Sequence, residues 1–413
     1  MSKDDTATSN RPAGWAAFRY RDFTLVCLAR LLSMTALQMQ TVAIGWLVYD
    51  RTSDPLALGL VGLASFLPAI GFALVTGHVA DRFDRRAVLL VCYAVCMAVA
   101  GGLFLWLWTD SEAVWPVYAL MVVFGTARAF ANPAGQAIVP NLVPPEHFGN
   151  AVAWNSSAFQ TATIVGPALG GILYAFGGTR VFAVAAALFA VTFCLLFAIR
   201  YRSGKRPVEK TSWKTLVAGI GFIRSKPAIL GAISLDLFAV LLGGATALLP
   251  IYARDILMVG PAGLGLLRSM PALGAATMAL LLAWRPLTRR TGHRMFQAVA
   301  VFGLATIGFG LSTNLAVSLL LLFVMGSADM ISVFIRQTLV QIDTPDGMRG
   351  RVSAVNSVFI GASNELGEFE SGTLAWAIGT VPAVVVGGLG TLLVAGLWAR
   401  WFPALRQRDR LIP

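Results

Sequence analysis

Apolar residues run along this chain in long stretches broken by short polar, arginine-rich punctuation. About 20 consecutive apolar residues are needed for a helix to cross the hydrocarbon of a bilayer. Twelve stretches meet that need, at 23–49, 56–79, 87–108, 115–132, 150–175, 179–200, 228–251, 262–284, 295–312, 314–334, 352–377 and 380–402. The pattern predicts an all-α integral membrane protein with twelve spans. A barrel would show short alternating strands, a far weaker signal than this one.

Composition agrees: 57% of residues are hydrophobic and only 13% charged, against about 25% charged in a soluble domain. The net charge of +12 does not gather into one stripe, so nucleic acid is not an expected partner. Lys and Arg favour cytoplasmic loops. With the N-terminus in the cytoplasm, only Arg51, Arg180 and Arg254 fall on the far side and Arg30, Arg128 and Arg268 within spans. The rest of the 32 basic residues, Arg336 among them, fall on the near side. Both termini are therefore expected in the cytoplasm, in a bacterial inner membrane.

The polar stretch 201–227 splits the spans six and six. The organisation expected is a cytoplasmic segment 1–22, a bundle 23–200, a linker 201–227 holding an amphipathic helix, a bundle 228–402 and a tail 403–413. The halves echo each other. GLASFLPAIG at 62–71 falls on GLLRSMPALG at 265–274, FGTARAF at 124–130 on MGSADMI at 325–331, and AWNSSAFQTATIVGPALGG at 153–171 on AVNSVFIGASNELGEFESG at 354–372. Matches in the same order predict two repeats related along the membrane normal.

Several of these segments resemble the major facilitator superfamily. GHVADRFDRR at 77–86 resembles its loop motif between spans 2 and 3. GPALGG, with Gly166, Pro167, Gly170 and Gly171, resembles the core of its span-5 antiporter motif. LLPIYARDIL and RGRVSAVNSVFIGASNELGEFESG look like the branch of drug and siderophore efflux proteins that includes the enterobactin exporter. The resemblance implies the two-bundle fold and alternating access. It also implies that contacts of the loop motif close the cytoplasmic side, with Asp81 capping a helix and Arg82, Arg85 and Arg86 pairing nearby. Gly77 is expected to let two helices approach. Asp84 stands where the family usually has Gly.

Candidate chemistry lies in charges at membrane depth. An ionised acid there costs roughly 2.5 kcal/mol or more, so it must face water, pair or hold a proton. Glu365, Glu368 and Glu370 lie in the eleventh span, where the first repeat has Ile164, Pro167 and Leu169; the shared fold does not need them. Glu365 and Glu368 share a helix face, about 60° apart, and Glu370 points elsewhere. Glu365 is about 21 Å along the helix from Arg351, near the midplane. These acids, with Asp236 on the seventh span, are candidates for proton coupling or substrate contact. A structural role for them is nearly as well supported. Arg128 and Asp329 occupy equivalent repeat positions with opposite charge, which suggests a gate between halves; Asp329 tied to Arg336 within its own half is the other option. Arg30 is a candidate counter-charge for Asp236.

No catalytic set, zinc set or phosphate-cradling loop occurs, so neither an enzyme nor a cofactor is expected. The four cysteines lie in apolar runs and read as packing. The reading is a secondary transporter, a monomer, exporting a small to mid-sized amphipathic molecule (a siderophore or drug) against proton entry. The alternatives are a lipid or lysophospholipid translocator without proton coupling, and a non-transporting sensor or assembly protein.

Overall fold

A computed structural model describes residues 14–109, 113–201, 213–287 and 289–410. Among these residues there are helices and no strand. The first half holds α1 (Arg21–Thr52), α2 (Pro55–Gly71), α3 (Ala73–Arg82), α4 (Arg85–Trp108), α5 (Trp115–Ile138), α6 (Phe148–Ala175) and α7 (Gly178–Phe197). Next comes α8 (Trp213–Ser225). The second half holds α9 (Pro227–Leu242), α10 (Leu249–Ile251), α11 (Gly260–Trp284), α12 (Thr291–Leu311), α13 (Leu315–Ile342), α14 (Asp346–Ile378), α15 (Thr380–Trp401) and α16 (Pro403–Arg406).

Nine described helical segments are long and apolar enough to cross a membrane. The predicted second, fourth and eleventh spans are filled by α2, α5 and α14, which are shorter or more polar. The 17-residue α2 stops three residues past Pro68, whose missing N–H weakens the helix ladder. Arg128 lies within α5, and three glutamates lie within α14. Two expected spans are not continuous. The second breaks at Phe72, and the seventh breaks at Gly243 and Gly244 before a short irregular run to Ile256. Adjacent glycines are poor helix formers.

Each half builds its own core. Phe23, Leu103, Phe182 and Phe189 centre the first; Tyr252, Leu264, Phe309 and Leu322 centre the largest cluster of the second. That second cluster also takes in Val42, Tyr49 and Leu58 from the first half. Outward-facing positions such as Val91, Leu105, Leu280 and Leu393 stay apolar and exposed, as a lipid-facing wall requires.

The two ends of the bundle differ. One end is rich in arginine. There Asp22 accepts from the backbone N–H of Tyr201 at 2.9 Å, and Arg408 pairs with Asp343 at 2.9 Å. The helix α8 packs its Ile223 against Ile229, Val352 and Val355, so its apolar face covers the second half. The opposite end carries the α1–α2 turn, and the two halves touch there. A Cβ on Gly171 of α6 would sit 2.3 Å from the Pro261 carbonyl oxygen, and one on Gly372 of α14 would sit 2.9 Å from Gly59 Cα of α2. Only glycine permits backbones this close. The two contacts, fifth span on eighth and eleventh on second, are the same contact repeated by the duplication.

Candidate functional site

A cavity of about 140 Å³ lies between the halves. The first half lines it with Gln38 and Thr41 of α1, Gly62 and Ser65 of α2, and Phe124 and Arg128 of α5. The second half lines it with Pro250, Arg268 of α11, and Glu365 and Glu368 of α14. Arg268 Nη2 lies 3.6 Å from Glu368 Oε1. Arg128, Arg268 and Glu368 are the charges that face Glu365. Two acids and two bases thus share one cavity, one base from each half.

The repeat explains how Glu368 arrives there. Gly265 of α11 receives Pro167 of α6: a Cβ on Gly265 would lie 2.6 Å from the Pro167 carbonyl oxygen. In the duplicate contact Gly62 of α2 receives Glu368, and a Cβ there would lie 3.0 Å from Glu368 Oε2. A helix contact built with proline in one copy carries a carboxylate in the other. Glu370 turns away from the cavity, with Ser371 Oγ 3.4 Å from its carboxylate.

A second charged cluster is enclosed in the second half. Arg336 Nη1 lies 2.8 Å from Asp236 Oδ2, both side chains almost fully buried at 3% and 7% exposure. The same guanidinium donates to Asn356 Oδ1 at 3.4 Å. Asp329 shares a tight space of about 10 Å³ with Asp236, Phe302 and Ser332, and Asp236 and Arg336 are the charges nearest it. Two expectations are corrected. Arg336 is not a loop charge, because α13 runs on to Ile342 and carries it inside. Arg128 and Asp329 are not brought together: Arg128 faces the inter-half cavity, and Asp329 faces α9 and α12 of its own half.

Nor does Arg30 meet Asp236. It sits in a cavity of about 40 Å³ within the first half, lined also by Tyr93, Asn132 and Gln136, with Phe159 5.5 Å away under the guanidinium. This space lies among the first, third and fourth spans of its half, as the Asp236 space lies among the seventh, ninth and tenth.

Of the loop motif, Arg85 donates to the Ala137 carbonyl at 2.8 Å, and Arg86 Nε donates to the Leu196 carbonyl at 2.9 Å. Both add a second donor to carbonyls in the last turn of a helix, where a cation is favoured. They bind within the first half. Arg82 is exposed, and the side chain of Asp81 lies outside those described. No described atom comes within 4 Å of a Cβ built on Gly77, so the expected close approach is not there. In the span-5 motif, Cβ atoms on Gly166 and Gly170 would press on Gln38 Cβ at 2.6 Å and Met39 Cα at 2.7 Å. Gly166 and Gly170 thus seat α6 on α1, while Pro167 and Gly171 face α11.

The charges around Arg254 were read in the sequence only as a far-side loop. The short helical run Tyr252–Ile256 aims Arg254 at the C-terminus of α1. It donates to the Tyr49 carbonyl at 2.9 Å and to Ser53 Oγ at 3.0 Å, with Asp50 at 3.6 Å. The Tyr49 hydroxyl donates to Asp255. This cluster ties the halves together at the α1–α2 end.

Two helical bundles, closed on each other at one end around a charge-lined cavity, have the architecture of a membrane transporter and not of an enzyme. The family model described as "transmembrane secretion effector", a branch of the major facilitator superfamily, matches residues 12–411. The chain belongs to that family. It is 27% identical over 387 residues to the enterobactin exporter EntS of Citrobacter koseri, covering 93% of this chain and 92% of that one. It is 28% identical over 402 residues to the multidrug efflux pump Tap of Mycobacterium tuberculosis, covering 93% and 94%. Among solved structures it is similar to a bacterial homologue of the human lysosomal transporter Spinster, with TM-score 0.73, 15% identity and coverage of 94% and 99%. A POT family transporter in complex with 5-aminolevulinic acid has TM-score 0.73, 13% identity and coverage of 93% and 96%. The protein is a multi-pass bacterial inner-membrane transporter of the efflux type.

Proposed function

We propose that this protein exports a small to mid-sized amphipathic organic molecule, a siderophore or drug, in exchange for protons. In this reading all twelve predicted spans cross the membrane, and the protein works as a monomer in a lipid bilayer. The arginine-rich end with both termini faces the cytoplasm, following the bias of basic residues toward that side. The α1–α2 end is then the outer end. The arrangement is an alternating-access state closed on the outside.

The observation that carries the reading is the placement of Glu365 and Glu368 in a cavity shared by both halves. A carboxylate held among helices in contact with water and two guanidiniums has two competing ways to be satisfied, a proton or a cation. Closing the cavity to one side and opening it to the other changes which is favoured. Apolar walls, including Leu58, Met121, Phe124 and Pro250, suit an amphipathic cargo. The relatives named for enterobactin export and multidrug efflux support that class. Asp236, Asp329 and Arg336 form a second set whose pairing can change between states.

The test is uptake of a fluorescent amphipathic dye into inside-out vesicles with an imposed pH gradient. The reading expects uptake that stops when the gradient and the membrane potential are collapsed. Uptake that continues unchanged rejects proton coupling.

A further inference from the structure

Charge is divided unevenly between the halves. In the middle of its spans the first half carries Arg30 and Arg128 and no acid, while Asp236, Asp329, Glu365, Glu368 and Glu370 all belong to the second. Arg128 has carboxylates across the inter-half cavity. Arg30 has none. Its guanidinium makes no hydrogen bond and no ion pair among the described residues, and its Nε is fully enclosed. Arg30 is half-buried, and the Phe159 ring beneath it offsets about 0.5–2 kcal/mol of the cost of that burial.

The surroundings bring no carboxylate to Arg30. Asn132 and Gln136, both exposed, line the same cavity, and their amides make no hydrogen bond among the described residues. The Tyr93 hydroxyl is fixed beside it by Ser33 at 3.2 Å. Met34, Leu89, Ile138 and Leu196 wall the space. At about 40 Å³ it exceeds the ~10–15 Å³ that one enclosed water needs and is far too small for the cargo body. We propose that this cavity is a binding site for one compact anion, either chloride or a single carboxylate group, held by the Arg30 fork and by Asn132 and Gln136. It is independent of how export is energised.

The test is thermal unfolding of the purified full chain at fixed ionic strength, in chloride, acetate or gluconate, the last too bulky to enter. The expected result is a saturable rise of about 2–4 °C in chloride, in acetate or in both, relative to gluconate. A rise in chloride alone assigns an inorganic anion, and a rise in acetate alone assigns a carboxylate. The rise should vanish in Arg30→Gln and shrink in Gln136→Leu. Arg30→Gln should unfold no earlier than wild type in gluconate, because it removes an uncompensated ion. No response to either anion, or an equal response in Arg30→Gln and Gln136→Leu, overturns the assignment.

Discussion

Arg336 of α13 and Asp236 of α9 lie 2.8 Å apart with 3% and 7% of their side chains exposed, and Asp329 shares the space beside Asp236. Two acids compete for one base in a place that water barely reaches. Removing one partner of a buried ion pair costs about 3–5 kcal/mol, because the other is left uncompensated. Here the partners are not equivalent. Without Asp236, Arg336 still has Asp329 as a neighbour; without Arg336, two acids face each other alone. Arg336→Met is therefore expected to destabilise by about 3–5 kcal/mol, and Asp236→Asn by clearly less. Unfolding of the two purified variants checks the order. Equal losses would mean that Asp329 does not take over the pairing.

The cluster at the α1–α2 end gives a second prediction. Arg254 binds the Tyr49 carbonyl and Ser53 but is about a third exposed, 31%, so solvent screens its ion pair with Asp50. A net worth of about 1 kcal/mol is reasonable. Arg254→Ala should shift the closed-to-open balance at this end about fivefold. Distance distributions between spin labels at Trp115 and Met258, both exposed, read that shift as growth of a longer distance. An unchanged distribution would show that helix packing alone holds this end shut.

Helix packing is itself testable at Gly171. A side chain there meets the Pro261 backbone at 2.3 Å, and backbone cannot move aside cheaply. Gly171→Val should remove the short-distance population between the same labels. Gly77→Ala is the control. Nothing described lies within 4 Å of that site, so alanine there should be neutral or stabilising by about 0.5–1 kcal/mol through reduced chain entropy.

The membrane helices were legible because lipid leaves a backbone few options, and twenty apolar residues in a row have one good conformation. The duplication was legible because glycines such as Gly171 and Gly372 must recur wherever the same backbone contact recurs. Pairing was not. Repeat equivalence puts Arg128 and Asp329 at matching positions along their helices, but equal position is not contact: α5 turns Arg128 to the interface, and α13 turns Asp329 inward. Arg336 was placed outside the membrane because the apolar run ends near residue 334 while the helix continues for two more turns. Its seven-residue spacing from Asp329, two turns on one face, was the signal behind the pairing offered beside the gate. Arg254 looked like any far-side arginine, since its partners lie about two hundred positions earlier in the chain.

The central claim is that Glu365 and Glu368 in the inter-half cavity connect cargo movement to protons. The most direct measurement is dye uptake into inside-out vesicles under a fixed pH gradient, comparing wild type with Glu365→Gln, Glu368→Gln and the double variant at equal protein levels. The expected outcome is that the double variant loses gradient-driven uptake while still exchanging dye down its own concentration gradient. Full gradient-driven uptake by the double variant would contradict the claim.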